Sequence, residues 1–356
     1  MKVHIVGTVG LPSKYGGFET LVENLVEKKR TSKLKYTVFC SSRSYSSHIS
    51  SYKNACLKYI PFNANGVQSI IYDIISMIMS IGKGDAILIL GVSGCVFLPV
   101  LRAFTKSKIV TNIDGLEHKR EKWNKYARKF LKLSEKFAVK YSDIVIADNK
   151  GIADYIREEY GIEAKIVAYG GDHVNKTVLT DNVKKMYSLP DKYAFKVCRI
   201  EPENNIELIL QAFVMESSLP LVIVGNWSVS EYSIKLKAMY NDYKNIYLLN
   251  AIYDKYILDQ IRSNCTVYIH GHSAGGTNPS LVEAMNLGLP VICYDVVYNR
   301  ETTKNRAIYF KDKNDLCVFL ENISNYDLTN LASNMKIVAN EEYCWDIIVQ
   351  KYEELY

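Results

Sequence analysis

The sequence predicts an α/β protein made of two Rossmann-like halves, each a parallel sheet covered by helices. Three observations predict it. Short apolar runs alternate with helix-period segments from Val3 to Asp148, and a second series of the same kind starts at Phe195. Such alternation is the pattern of parallel strands buried on both faces. Each half also holds a strand that runs into a glycine loop and then a helix, at residues 3–25 and 265–287. The chain is 356 residues long, which suits two domains better than one.

Residues 3–6 form the first apolar strand, 7–17 a glycine loop, and Phe18, Leu21, Val22 and Leu25 one side of the helix that follows. The loop does not have the G-x-G-x-x-G spacing, so it is not read as an NAD site. Residues 36–40 and 86–90 are further buried strands, with a helix over 67–81 between them. Another helix is expected between Gly91 and Phe104. The strand at 108–113 closes on Asp114 and Gly115, and the strand at 144–147 on Asp148. Asp181, Asn182, Pro190 and Asp191 mark a connector. The expected domains are therefore 1–172, a linker 173–192, and 193–338. In the second series, strands at 195–198, 219–225, 246–249, 265–269, 290–294 and 307–310 alternate with helices near 207–215, 228–241, 255–263 and 279–287. A last helix, within 339–356, carries Trp345, Ile348, Val349 and Tyr352 on one side.

Hydrophobic residues make up 48% and charged residues 23% of the chain, the balance of a globular protein with sizeable cores. Its eight cysteines are scattered, without a C-x-x-C pair, as thiols are in a reducing compartment. The apolar run at the N-terminus is shorter than a signal peptide requires. Between Val67 and Phe104, Asp73, Lys83 and Asp85 interrupt the apolar residues, leaving no run near the ~18 a membrane span needs. The expected location is the cytoplasm.

Residues 117–140 are expected to form a helix with nine Lys/Arg and three Glu, a net +6 that equals the charge of the whole chain. At 100° per residue Trp123, Tyr126, Ala127, Phe130, Leu133, Phe137 and Tyr141 share one face. Lys122, Lys125, Lys129, Lys132, Lys136 and Lys140 form a separate stripe. One reading is a domain helix with a packed aromatic face and a solvated lysine face. The other is docking on an anionic leaflet at the inner face of a membrane, where each basic residue adds about 1 kcal/mol. Nucleic acid is not expected as a partner, since no base-stacking cluster or binding module accompanies the charge.

Residues 270–290 read His-Gly-His-Ser-Ala-Gly-Gly-Thr-Asn-Pro-Ser-Leu-Val-Glu-Ala-Met-Asn-Leu-Gly-Leu-Pro. Gly271, Gly275 and Gly276 make a loop, Pro279 opens a helix, and Gly288 stands at its C-cap. Free N–H groups and the macrodipole at such a helix start favour an anion; an ordinary βα loop is the alternative. The stretch resembles the donor-nucleotide motif of family 4 glycosyltransferases of the GT-B type. That family carries two glutamates eight apart; Glu283 matches the second, while Gly275 stands at the first. The variant from Gly271 to Leu281 resembles bacterial rhamnosyltransferases of capsule and cell-wall polysaccharide synthesis.

The resemblance implies a GT-B fold: two Rossmann-like domains facing a cleft, with the C-terminal helix crossing back to the N-terminal domain. It implies that Gly16 and Gly17 face the donor diphosphate, and that Arg199 clamps it. Asn204 stands where the family has a second, lysine clamp. Glu283 would accept hydrogen bonds from the nucleotide ribose. Thr277, Asn278, Ser280 and Leu281 would offer N–H groups and hydroxyls to phosphate and sugar, with His272 lining the same pocket and Gly275 leaving a gap suited to a 6-deoxy sugar. The block Asp114-Gly-Leu-Glu-His-Lys-Arg-Glu-Lys-Trp123 resembles the acceptor side of the same subgroup. Asp114 is the first candidate for an acceptor hydroxyl, with Glu117 and His118 as second choices.

No two aspartates stand two apart, so the Asp-x-Asp metal clamp is missing. No cofactor or metal is expected, with Arg199 and backbone dipoles acting on the diphosphate. The implied reaction is retaining transfer of L-rhamnose from dTDP-L-rhamnose to a lipid-linked saccharide. A family 4 transferase using a UDP- or GDP-hexose, a nucleotide-sugar epimerase and a non-catalytic nucleotide-sugar binding protein are the alternatives.

Overall fold

The computed structural model describes residues 1–14, 16–120 and 123–356. They divide into two compact units, Met1–Tyr169 with Trp345–Tyr356, and Gly170–Cys344. The first unit contains β1 (Lys2–Val6), α1 (Gly17–Glu27), β2 (Lys35–Ser41), β3 (Ser51–Tyr52), β4 (Ala55–Ile60), α2 (Gln68–Ser80) and β5 (Ala86–Leu90). It continues through α3 (Leu98–Phe104), β6 (Lys108–Asn112), α4 (Lys125–Tyr141), β7 (Ile144–Ala147), α5 (Lys150–Tyr160) and β8 (Lys165–Ile166). Among the described residues these strands make one sheet in the order β3-β4-β2-β1-β5-β6-β7-β8. Only the β3–β4 pair is antiparallel. The central strands read as unbroken apolar runs because both faces are covered, and β5 is buried at all of its positions.

The second unit holds α6 (Asp181–Met186), β9 (Ala194–Val197), α7 (Ile206–Met215), β10 (Leu221–Val224), α8 (Glu231–Tyr240), β11 (Ile246–Leu249) and α9 (Lys255–Ser263). Then come β12 (Val267–His270), α10 (Pro279–Asn286), β13 (Val291–Tyr294), α11 (Val297–Thr302), β14 (Ile308–Phe310), α12 (Lys313–Glu321) and α13 (Leu328–Glu342). Its parallel sheet has the order β11-β10-β9-β12-β13-β14. Ala194, Ile223, Ile269 and Ile292 face Ile209, Leu210, Phe213 and Leu316 in one core.

Strand order reverses between β1 and β5 in the first sheet and between β9 and β12 in the second. At such a switch point the loops leaving the two strands diverge to opposite faces and open a crevice at the carboxyl ends. The first switch point lies beside Gly7 and Gly91, the second beside Arg199 and Gly271. Gly7 is fixed by this approach: a Cβ there would fall 2.0 Å from the Leu90 carbonyl oxygen.

Several elements differ from the sequence reading. The 117–140 helix starts late. Asn124 Oδ1 accepts from Tyr126 N at 3.1 Å and Ala127 N at 3.0 Å, so it caps a helix beginning at Lys125. Glu117–Lys119 is a separate 3₁₀ turn, and Lys122 of the expected stripe lies outside the described residues. The packed face of α4 is Leu131, Ser134, Glu135, Ala138 and Val139, not the aromatic one. Tyr126 is 72% exposed and Leu133 47%.

The helix expected between Gly91 and Phe104 splits into a 3₁₀ turn and α3. The segment 173–192 groups with the second unit and carries α6. The end of the chain forms two helices, α13 and then α14 (Trp345–Glu353). The second buries Trp345, Ile348, Val349 and Tyr352 within the first unit. There Tyr352 Oη accepts from Asn112 Nδ2 at 2.7 Å.

Candidate functional site

At the second switch point two loops are stitched together. The β9 strand leads into Arg199 and the 3₁₀ turn Pro202–Asn204, then Asn205 in the left-handed region at φ 50°. Asn204 is buried; its Nδ2 donates to the Arg199 carbonyl at 2.9 Å, and its Oδ1 lies 3.0 Å from His272 Nδ1. Asn205 Nδ2 donates to the Gly271 carbonyl at 2.8 Å, and Ser273 N donates to the Glu203 carbonyl at 2.9 Å. Gly271 is forced, since a Cβ would sit 2.4 Å from the Asn204 carbonyl oxygen. Asn204 therefore ties the loops together rather than presenting a charge. Arg199 is half exposed, 3.8 Å from Glu201.

The loop before α10 is shaped by its own cap. Asn278 Oδ1 accepts from Ser280 N at 3.0 Å and from Ser280 Oγ at 2.8 Å, while Leu281 N donates to the Asn278 carbonyl at 3.0 Å. Pro279 has no N–H. The N–H groups of Ser280 and Leu281 that the sequence offered to a phosphate are engaged by the cap, and Leu281 itself is fully buried in the core. Thr277 is buried as well. Gly275 has φ +100°, a conformation that L side chains rarely adopt. The glutamate missing at this position thus has a backbone reason beside the expected gap for a sugar.

Glu283 sits in a charge network within the second unit. Its Oε2 pairs with Arg262 Nη1, and its Oε1 lies 3.1 Å from His173 Nε2. Arg262 Nη2 reaches Asp259 Oδ1 at 2.8 Å, and Asp259 Oδ2 accepts from Asn175 N at 3.0 Å. Arg262 is 3% exposed in its side chain, Glu283 19%. Burial pushes the Glu283 carboxyl up, but the Arg262 charge and the His173 contact outweigh it and hold the group at about 2. Glu283 is thus ionised and fixed in direction.

In the first unit Gly16 is the N-cap of α1 at φ 126°, and Gly17 begins the helix. Their loop is held by Glu19, whose Oε1 accepts from Val9 N at 2.7 Å and Thr8 Oγ1 at 3.0 Å. Asp114 follows β6 in the left-handed region at φ 60°, its N–H donating to Asn112 Oδ1 at 2.9 Å. Glu117 is engaged by Arg120 Nε at 2.9 Å and Trp123 Nε1 at 3.1 Å. His118 Nδ1 lies 2.9 Å from Glu135 Oε2. Glu135 also accepts from Tyr155 at 2.8 Å and Tyr160 at 2.7 Å. Burial opposes its ionisation, yet these partners bring the carboxyl down to about 2.

Residues 1–172 match the family described as DUF1972, a domain of unknown function. Residues 181–324 match Glycosyl transferases group 1. The chain joins a DUF1972 domain to a group 1 glycosyl transferase domain. No curated protein sequence matches it. Among solved structures, sucrose-phosphate synthase from Thermosynechococcus elongatus is similar at 16% identity with a TM-score of 0.83, over 100% of this chain and 98% of that one. Anabaena HepE, solved in complex with UDP-glucose, is 13% identical with a TM-score of 0.76 over 99% and 98% of the two chains. The fold is GT-B, two Rossmann-like parallel sheets with helices.

In the glycosyl transferase domain, the sequence reading names Arg199, His272 and Glu283 but not Arg262, Asp259 and His173, which the structure gathers into one charge network with Glu283. The spacing of Asp259 and Arg262 on one helix face was a local signal for their pair. Nothing local links either to Glu283 or to His173. In the DUF1972 domain, Glu19 and Glu135 were missed because each looks like a surface acid on an amphipathic helix.

Proposed function

We propose that the chain is a retaining glycosyltransferase that moves L-rhamnose from dTDP-L-rhamnose to a lipid-linked saccharide in polysaccharide synthesis. The observation that carries the reading is a group 1 glycosyl transferase domain whose switch point holds Arg199, the Gly271–Leu281 variant loop and an ionised Glu283. In this reading Arg199 meets the diphosphate, where a guanidinium suits two phosphate oxygens. Glu283 meets the ribose, and the DUF1972 domain takes the acceptor near Asp114 and His118. The sugar C1–O bond to the diphosphate breaks and a C1–O bond to the acceptor hydroxyl forms on the same face. The leaving phosphate oxygen takes the hydroxyl proton, so no strong protein base is needed. No divalent metal is required. A UDP-hexose donor is the second reading, favoured by the fold similarity to HepE, which was solved with UDP-glucose.

The acceptor's lipid implies work at the cytoplasmic leaflet, and α4 supports docking there. No helix of the described residues is long and apolar enough to cross a membrane. A donor panel of dTDP-rhamnose, UDP-glucose and GDP-mannose, read by mass spectrometry, tests the reading. Rhamnose transfer should occur with EDTA present, release one dTDP per product, and keep the donor's β-configuration. Transfer from UDP-glucose with none from dTDP-rhamnose would establish the second reading. Nucleotide binding without transfer from any donor would leave only a binding protein.

A further inference from the structure

Helix α2 is turned inside out. Its buried residues include Ser69, Asp73, Ser76 and Ser80, while Val67 at its N-cap, Ile71 and Ile78 are 80%, 47% and 48% exposed. At 100° per residue Val67, Ile71, Ile74 and Ile78 form one stripe, opposite the serines. Hydrogen bonds fix this orientation. Ser69 Oγ donates to the Gly66 carbonyl at 2.6 Å, Ser76 Oγ to that of Tyr72 at 2.8 Å and Ser80 Oγ to that of Ser76 at 2.8 Å. The inner hydroxyls are thus satisfied by the preceding turn, and Tyr72 Oη donates to the Thr8 carbonyl at 2.8 Å. Gly94 permits the close approach, since a Cβ there would fall 2.3 Å from Asp73 Cβ. Asp73 is the one charged residue of α2 and it points inward, so the outer face carries no charge.

The neighbouring helices continue this surface. β4, β5, β6 and β7 are parallel and step in one direction across the sheet. Their right-handed crossovers therefore put α2, α3 and α4 on one face, and the 3₁₀ turn Cys95–Phe97 touches all three. Val100 and Phe104 on α3 are exposed as well. The three helices hold two acidic residues, Asp73 and Glu135, and both are buried. Against them stand one arginine on α3 and six lysines or arginines on α4. A second copy of this face would meet its own positive charge, whereas an anionic lipid surface attracts it. The 13 residues of α2 span about 20 Å, short of the ~30 Å hydrocarbon core. The helix can lie in a membrane interface but cannot cross it.

We infer that α2 is an interfacial membrane anchor. Its stripe of Val67, Ile71, Ile74 and Ile78 enters the boundary between headgroups and acyl chains of an anionic leaflet, with the α4 lysines on the phosphates beside it. The inference rests on the leaflet docking proposed for α4 and adds the element that enters the lipid.

Sedimentation of the full chain with vesicles of equimolar phosphatidylcholine and phosphatidylserine tests it. Ile71→Gln with Ile78→Gln changes only outward side chains, so the melting temperature should hold. The partition coefficient should fall by roughly tenfold or more, from the apolar area that no longer leaves water. That loss should persist at high salt, where the lysines are screened. Val178→Ser with Val229→Ser removes two exposed apolar side chains of the second unit and should leave binding unchanged. Ile78→Trp reads insertion directly: its emission should shift to the blue on vesicles and be quenched by lipids brominated high on the acyl chain. Quenching no greater than that of the native chain would overturn the inference, and so would binding unaffected by the Ile71 and Ile78 changes. If those changes have no effect while lysine-to-Gln changes on α4 release the protein, the anchor falls and the leaflet reading stands. If the native chain binds no such vesicles, both fall. A native dimer that Ile71→Gln with Ile78→Gln makes monomeric would put a second copy on the stripe and overturn the inference too.

Discussion

At the scale of single residues, buried charges carry most of the information, and two carboxyls show opposite signs. Glu283 has a cation against it and is held low, at about 2. Asp73 on α2 has none. It is 3% exposed, with one oxygen lacking a partner and the Gly94 N–H donating to the carboxyl. Burial therefore pushes it up to about 8 from an ordinary 3.8. A carboxyl raised on folding keeps its proton in the native chain, so its contribution to stability is fully present below the unfolded value. It is lost progressively as pH rises from about 4 toward 8. Asp73→Asn leaves an oxygen for the Gly94 N–H and removes the titration. Thermal melts should show the variant gaining several degrees near pH 8 and little near pH 4. An equal gain at both would mean that the carboxyl is not the source. None of this was legible in the sequence, where Asp73 is one charge among apolar neighbours and only the packing of the 3₁₀ turn against α2 removes its water.

At the scale of elements, α4 decides the surface chemistry of the DUF1972 domain. Counting large apolar side chains put its aromatic face inward. The fold instead buries Ser134, Glu135 and Ala138, small or internally paired residues, with Ser134 Oγ bonded to the Val92 carbonyl. Small residues let a helix approach its neighbours closely, and a hydropathy pattern does not register them. The consequence is an outer face on which Lys129, Lys136 and Lys140 run beside Tyr126 and Leu133, given 100° per residue. Phe104, 69% exposed, and Val100, 46% exposed, belong to α3, which packs on α4. Lys132 turns away to Glu159 at 2.9 Å and to Glu135 at 3.4 Å. Aromatic and aliphatic side chains edged by lysines suit the headgroup boundary of an anionic bilayer. Changing Lys125, Lys129, Lys136 and Lys140 together to Gln should release the protein from phosphatidylserine vesicles. Tyr126→Ser with Leu133→Ser should weaken binding that salt screening leaves in place. Vesicle binding indifferent to the lysines, the apolar pair and salt would return α4 to an ordinary domain helix.

At the scale of the whole molecule, the two sheets were legible because parallel strands buried on both faces have little choice of composition. Val3–Val6, Ala86–Leu90 and Leu221–Val224 read as strands on that ground alone. The β3–β4 hairpin was not legible, since the edge strand β3 has only two residues and Lys58 and exposed Cys56 interrupt the apolar pattern of β4 beside it. Strand order was also out of reach of local pattern, yet it places both glycine loops at switch points. The end of the chain follows from a different rule: Trp345, Ile348, Val349 and Tyr352 are an apolar face that must be covered. They are covered by the first unit, where Arg30 N donates to Glu353 Oε1 at 2.8 Å and α14 packs on α1. The chain's last helix is thus core for its first domain. Trp345→Ala should cost about 3–5 kcal/mol, the price of a large cavity. That loss should fall on the DUF1972 domain alone. Calorimetry should show one transition moved down and the glycosyl transferase domain's transition in place, with dTDP still raising the latter. A uniform shift of both transitions would mean that the two domains unfold as one cooperative body and that α14 stabilises the pair.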